Sequence, residues 1–150
     1  MGSRKRNSAE IRKTEDKNRF WAKLNNCPSS PRKMRLVIDL IRGREVNEAL
    51  DILSYTNKEV AGKLKKLLKS AISNFEVKTG MRAEDSGLFI SKALVNEGKM
   101  LKRLRPAPQG RAYRIRKRSN HVMLEIRSPI FEQKIASEQT ENNPETENNS

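Results

Sequence analysis

Between Glu97 and Glu125 the chain contains no acidic residue and nine basic ones: Lys99, Lys102, Arg103, Arg105, Arg111, Arg114, Arg116, Lys117 and Arg118. No other feature restricts the fold as strongly. A like-charge run of this density repels itself and gains little by packing against the rest of a basic chain. It has to stand in the open, and it calls for a partner that supplies negative charge. In its middle lies Pro106-Ala107-Pro108-Gln109-Gly110. Two prolines cannot donate to a strand ladder and Gly110 permits positive φ, so these residues suit a turn.

The flanks of the run have a period of two. Leu88, Ile90 and Leu94 alternate with Phe89, Ser91, Ala93 and Val95, and Val122, Leu124 and Ile126 alternate with Met123, Glu125 and Arg127. Both read as strands. Together they predict the base of a hairpin over about residues 96–121, with basic arms and a tip over 105–111. Residues 20–26 offer a third strand. Arms of roughly ten residues, at about 3.3 Å each, carry the tip on the order of 30 Å from the base. A free two-stranded ribbon of that length is marginal in water and needs a surface to lie along.

Helical patterning fills the region before it. Ser30-Pro31 reads as an N-cap followed by proline at the first helical position. Met34, Val37, Ile38 and Ile41 then make one apolar face, which Gly43 ends. A short second helix buries Val46, Ala49, Leu50 and Leu53. Thr56-Asn57-Lys58-Glu59 has the spacing of a capping box, in which hydroxyl and carboxylate each satisfy an orphan amide. It opens a third, longer helix with Val60, Leu64, Leu67, Leu68, Ala71, Ile72 and Phe75 as its buried stripe and Gly80 as its stop. Lys63, Lys66, Lys69 and Ser70 lie on another side, which by itself reads as a solvated face. The expected class is α+β: three helices on a small antiparallel sheet of about three strands, with a long basic β-hairpin extension.

Composition narrows the function. The net charge is +14 and the pI about 10.3, the electrostatic footprint of a nucleic-acid binder. A membrane-surface reading would need an amphipathic helix with a broad apolar face or a lipid anchor. The start Met1-Gly2-Ser3-Arg4-Lys5-Arg6 lacks the Ser or Thr that a myristoylation signal has at position 6. No apolar run is long enough to span a bilayer, and no signal peptide is expected. Cys27 is the only cysteine, so no internal disulfide and no cysteine-based metal site is expected. The expectation is a cytoplasmic protein with no membrane insertion, no metal and no cofactor. Residues 1–19 form a basic extension without a clear apolar stripe, able to become helical on a partner. Residues 129–150 read as a disordered acidic tail: the final stretch Ser137-Glu138-Gln139-Thr140-Glu141-Asn142-Asn143-Pro144-Glu145-Thr146-Glu147-Asn148-Asn149-Ser150 has too little apolar surface to offset the entropy of ordering. One domain, residues 20–128, remains between them.

Several long motifs together resemble one family. Ser30-Pro31-Arg32-Lys33-Met34-Arg35-Leu36-Val37-Ile38-Asp39-Leu40-Ile41-Arg42-Gly43 is similar to the opening helix of the large-subunit ribosomal protein twenty-two family, of bacterial type. So are the helix with Ala49-Leu50 and Leu53 and the long helix containing Ser70-Ala71-Ile72-Ser73-Asn74. Leu101-Lys102-Arg103-Leu104-Arg105-Pro106, Gly110-Arg111-Ala112 and Arg116-Lys117-Arg118-Ser119-Asn120-His121-Val122 resemble its hairpin. The likeness runs in order over residues 20–127. It implies three helices on a small antiparallel sheet, binding to large-subunit ribosomal RNA, a part in subunit assembly, and a hairpin lining the passage through which the nascent polypeptide leaves. Partners would be that RNA, neighbouring large-subunit proteins and the passing chain. The sequence departs from the family at the tip, where Ala107, Pro108 and Gln109 are uncharged, and at Tyr113, where an acidic residue is common.

Roles follow residue by residue. The nine arm cations suit phosphate, arginine bidentately and lysine as a point charge, and such contacts position a protein without reading sequence. Arg32, Lys33 and Arg35 stand at a helix start, where free amides also favour an anion. Tyr113 suits stacking on an unpaired base or cross-strand packing equally. His121, the only histidine, suits a surface or RNA-backbone contact, since no second ligand accompanies it. By the resemblance, Pro106, Ala107, Pro108, Gln109 and Gly110 would form the tunnel tip. Cys27 reads as a small buried thiol. No nucleophile elbow, phosphate loop or carboxylate pair is present, which argues against an enzyme. The alternative is an architectural DNA-binding protein whose β-arm inserts a proline wedge into the minor groove. Such proteins generally dimerise through an apolar face, and none is left over here once the helices are packed.

Overall fold

The computed structural model describes residues 3–17, 19–131 and 133. Its elements are, in order, α1 (Ser3–Lys17), β1 (Phe20–Cys27), α2 (Pro31–Ile41), α3 (Val46–Tyr55), α4 (Glu59–Thr79), β2 (Phe89–Glu97), β3 (Leu101–Pro106), β4 (Ala112–Lys117) and β5 (Asn120–Arg127). The expected α+β class holds. One antiparallel sheet has the order β1-β5-β2, and β3-β4 form a separate two-stranded ladder.

The helices form where apolar spacing demands. In α2, Met34, Val37, Ile38 and Ile41 are buried. In α4, all of the expected stripe is buried except Ile72, which is half-buried, and Ala61 joins it. These side chains meet Phe20, Ala22, Ile90, Ala93, Val122, Leu124 and Ile126 from the inner face of the sheet. Phe75 is fully buried, with its ring edge-on to Phe20 at 4.8 Å. Truncating such a side chain costs about 3–5 kcal/mol. Gly43 and Gly80 end α2 and α4 with φ of 75° and 69°, conformations that a β-carbon disfavours.

Two local expectations are corrected, the Thr56 capping box and the face of Leu94, while the Ser30 N-cap holds. The Thr56 capping box does not form. Thr56 instead closes α3: its backbone N–H and its hydroxyl both donate to the Ile52 carbonyl. Lys58 is the N-cap of α4, so Glu59 already lies in its first turn and binds Lys63 one turn on. Ser30 precedes Pro31 as N-cap of α2, but its hydroxyl makes no capping hydrogen bond. Leu94 does not share a face with Leu88 and Ile90. The β2–β5 register shifts between Ile90 and Lys92; the extra residue reverses the alternation, so Ala93 is buried and Leu94 is 49 % exposed.

The ends also differ from a bare core. α1 is a helix, with residues 3–13 exposed. Residues 129–131 turn helically, and the Phe131 ring packs edge-on against Phe20 and Phe75 at 5.3 and 6.3 Å. Phe131 thus packs against the core from beyond β5. Most of the acidic tail expected from the sequence lies outside the described residues.

Candidate nucleic-acid interface

The basic run becomes a ribbon. β3 and β4 pair from Leu101↔Lys117 to Pro106↔Ala112, and every residue of both strands is exposed. Six paired residues per strand extend about 20 Å, and β2 and β5 continue into the sheet below. The ladder does not reach the tip. Ala107 N–H donates to the Arg111 carbonyl, and Pro108–Gly110 make a tight turn with Gln109 and Gly110 at φ of 61° and 70°. Glycine was expected to take such a φ; Gln109 was not, and nothing in its residue type signals it.

Register decides how the charges are displayed. Directly opposed residues share a face. One face therefore carries Arg103, Arg105 and Lys117 with Leu101, Ile115 and Tyr113, and the other carries Lys102, Arg114 and Arg116 with Leu104, Pro106 and Ala112. Cations project to both sides. Lys102 stands directly opposite Arg116, a like-charge pair that weakens the free ribbon. Among the described residues, only Arg118 of the nine arm cations has a carboxylate within 4.0 Å, that of Glu97 at 3.8 Å. A ribbon with cations on both faces suits an anion that surrounds it better than a surface it lies on.

A groove at the foot of the arm brings separate predictions together. Its volume is about 700 Å3, and Lys33 from the first turn of α2 lines it with Lys99, Lys117 and Arg118. Ser29, Ser30 and Ser119 add hydroxyls. The free amides of the α2 N-terminus favour negative charge there. Glu59 is the acidic residue on its rim, and it is held by Lys63 at 2.7 Å. That hydrogen bond, with the Lys63 charge, holds the Glu59 carboxyl below the usual range.

The remaining candidates separate. Arg32 is exposed near the same helix start. The Arg35 guanidinium donates to the Val95 carbonyl at 3.3 Å, which ties α2 to the edge strand β2. His121 is half-buried at the top of β5, where its Nδ1 accepts from the Asn26 N–H at 3.2 Å. A β-carbon added to Gly98 would meet the Ser119 hydroxyl at 2.6 Å and the His121 Nε2 at 3.1 Å, so the arm's foot is tightly built around His121. Tyr113 is exposed opposite Arg105. Cys27 is buried and free. Among the described residues no group of three or more His, Cys, Asp or Glu is placed to hold a metal ion, and no helix is long and apolar enough to cross a membrane.

Sequence reasoning missed Glu125. The strand pattern put it on the outer face, yet it is fully buried there. Arg19 donates to it at 2.9 Å, and Arg127 and Lys92 approach to 3.6 and 3.8 Å. Burial alone would raise its pKa; the Arg19 hydrogen bond and the charges of Arg19, Lys92 and Arg127 outweigh it and hold the carboxyl below its ordinary value. An acid among cations on a strand was the available signal.

Known proteins share this arrangement in sequence. The profile of the Ribosomal protein L22p/L17e family matches residues 22–127. The large ribosomal subunit protein uL22 of Porphyromonas gingivalis is 57% identical over 126 residues, covering 84% of this chain and 94% of its own. Its counterparts from Bacteroides fragilis and Flavobacterium johnsoniae are 58% and 59% identical over 128 and 125 residues. They cover 85% and 83% of this chain, and 94% and 91% of their own lengths.

Proposed function

The chain belongs to the Ribosomal protein L22p/L17e family, and from that premise we propose that it binds large-subunit ribosomal RNA through its arm and lines the nascent-chain exit passage with its tip. It is a structural component of the large ribosomal subunit and not an enzyme. Its place is the cytoplasmic ribosome, among ribosomal RNA and other ribosomal proteins. The observation that carries the reading is the ribbon of β3 and β4, exposed throughout, with cations on both faces. Phosphates on two sides would neutralise it, as a folded RNA enclosing the arm provides. Phosphate contacts of this kind hold a protein in register without reading bases. The groove with Lys33, Lys99, Lys117 and Arg118 would anchor the arm's foot to the same RNA.

The tip has a different task. No charge lies between Pro106 and Gly110, and its turn is stiffened by two prolines. It would shape a passage for the nascent polypeptide more than it would bind RNA. The experiment compares two variants by their amount in purified large subunits. Arg114, Arg116, Lys117 and Arg118 changed together to Ala should impair incorporation. Deleting Ala107, Pro108 and Gln109 should leave incorporation nearly intact while altering the passage, read by a structure of the subunit. A tip deletion that fails to enter subunits, beside a four-alanine variant that enters normally, overturns this division.

A further inference from the structure

The sheet has a second face, and the function above does not use it. Side chains of β1, β5 and β2 that are paired with Phe20, Ala22 and Leu24 or adjacent to them alternate between the two faces. The inner set packs under α2 and α4. The outer set forms two rows. Trp21, Glu125 and Lys92 make one; Lys23, Met123 and Leu94 make the next. Among the described residues, the helices packed on the sheet lie on its inner side. Trp21 is 44 % exposed, and Lys23, Lys92 and Leu94 are exposed as well.

An exposed tryptophan on an open sheet face is a large apolar surface left in water. Its surroundings say what would cover it. Arg19, Lys92 and Arg127 gather at Glu125, directly across from Trp21, and Lys23 stands two residues along β1. Among the described residues, four cations accompany this carboxylate. The centre of a protein–protein patch is depleted in charge, whereas a single-stranded nucleic acid site combines an aromatic platform with surrounding cations. Oε1 of Glu125 is buried without a hydrogen-bond partner, with the Arg127 guanidinium 3.6 Å away.

We propose that this outer face is a second RNA-binding surface, on which an unpaired base stacks on Trp21 while the phosphates beside it meet Lys23 and Lys92. Neighbouring strands are about 4.8 Å apart and successive same-face residues about 6.6 Å. Lys92 therefore lies roughly 10 Å across the sheet from Trp21 and Lys23 about 7 Å along it, a spacing that brackets one nucleotide. The base has to be unpaired, because a flat face cannot enter a duplex groove and a paired base offers no free π-surface. The proposal rests on the ribosomal reading for its ligand class, but its residues are not those of the arm.

Trp21 is the only tryptophan, so the full chain carries its own probe. Short single-stranded RNA is titrated into the wild type and into the four-alanine arm variant, with indole fluorescence and the anisotropy of labelled RNA both recorded. Saturable quenching is expected in both proteins. An abasic strand of equal length should bind without quenching. In the arm-variant background, Trp21→Ala should weaken RNA binding about 5- to 150-fold, the range for loss of one stacked base, and Trp21→Phe should restore most of it. Matching thermal unfolding of the Phe and parent proteins establishes that the sheet is intact. RNA that binds without quenching, equal quenching by the abasic strand, or quenching by a large-subunit protein and not by RNA overturns the proposal while leaving the arm's function standing. A wild type that binds no RNA by anisotropy overturns both.

Discussion

Glu125 sets the terms at the residue scale. A fully buried carboxylate opposite an exposed tryptophan stays ionised because Arg19, Lys92 and Arg127 surround it. Its pKa is lower in the folded protein than in the unfolded chain, so it binds protons more readily when unfolded. The stability it contributes is complete above the unfolded value, near 4.5, and is lost as pH falls through the lower folded value. Glu125→Gln should therefore lower stability at pH 7 by about 1–2 kcal/mol, discounted because Arg19 is partly solvated. The gap between the two proteins should close as the pH falls below about 4.5. Urea unfolding at pH 7, 5 and 3 checks this; an equal gap at all three would sink it. Gln109 shows the limit of residue-level reading. Its positive φ comes from closing a tight turn between fixed strands, a demand set by geometry and not by its own preference.

At the scale of elements, the sequence was legible wherever one apolar period ran unbroken. Met34, Val37, Ile38 and Ile41 identify the buried face of α2 because a single helix needs a single stripe. Leu94 misleads because one extra residue near Ser91 reverses the strand's faces, and a bulge has no strong compositional mark. Thr56 misleads for another reason: its box spacing is real, but the hydroxyl is taken by the preceding helix, whose last carbonyls need donors too. The arm was legible through charge, and its two-sided display was not, because register is set by pairing. That display predicts how the free arm behaves. Lys102 faces Arg116, no described helix covers the ribbon, and its side chains are exposed on both faces. Without RNA, the amides of β3 and β4 should exchange with deuterium far faster than those of α4, which is anchored by Phe75, Leu64 and Leu68. Arm protection equal to that of α4 in the free protein would show that the ribbon is held by contacts of its own.

The whole molecule divides by charge into a neutralisable limb and a self-sufficient body. The body buries Phe75, Met34, Ile38, Leu64, Leu124 and Ile126 in one core, and so folds by the usual burial of apolar surface. The limb has no such core and depends on a polyanion. If arm and foot neutralise on the order of 6–9 phosphates, log K for an RNA fragment should fall with log salt at a slope of roughly −4 to −8. Arg118, shared with Glu97, should contribute less to that slope than Arg114 or Arg116, because its charge is already partly compensated. Removing Arg114 and Arg116 should each make the slope shallower by nearly one phosphate's worth, about 0.7–0.9. Affinity measured by filter binding across a salt series, for the wild type and each single alanine variant, tests both statements. A wild-type slope shallower than about −2 would mean that stacking and packing dominate, and that the limb's cations serve solubility more than binding.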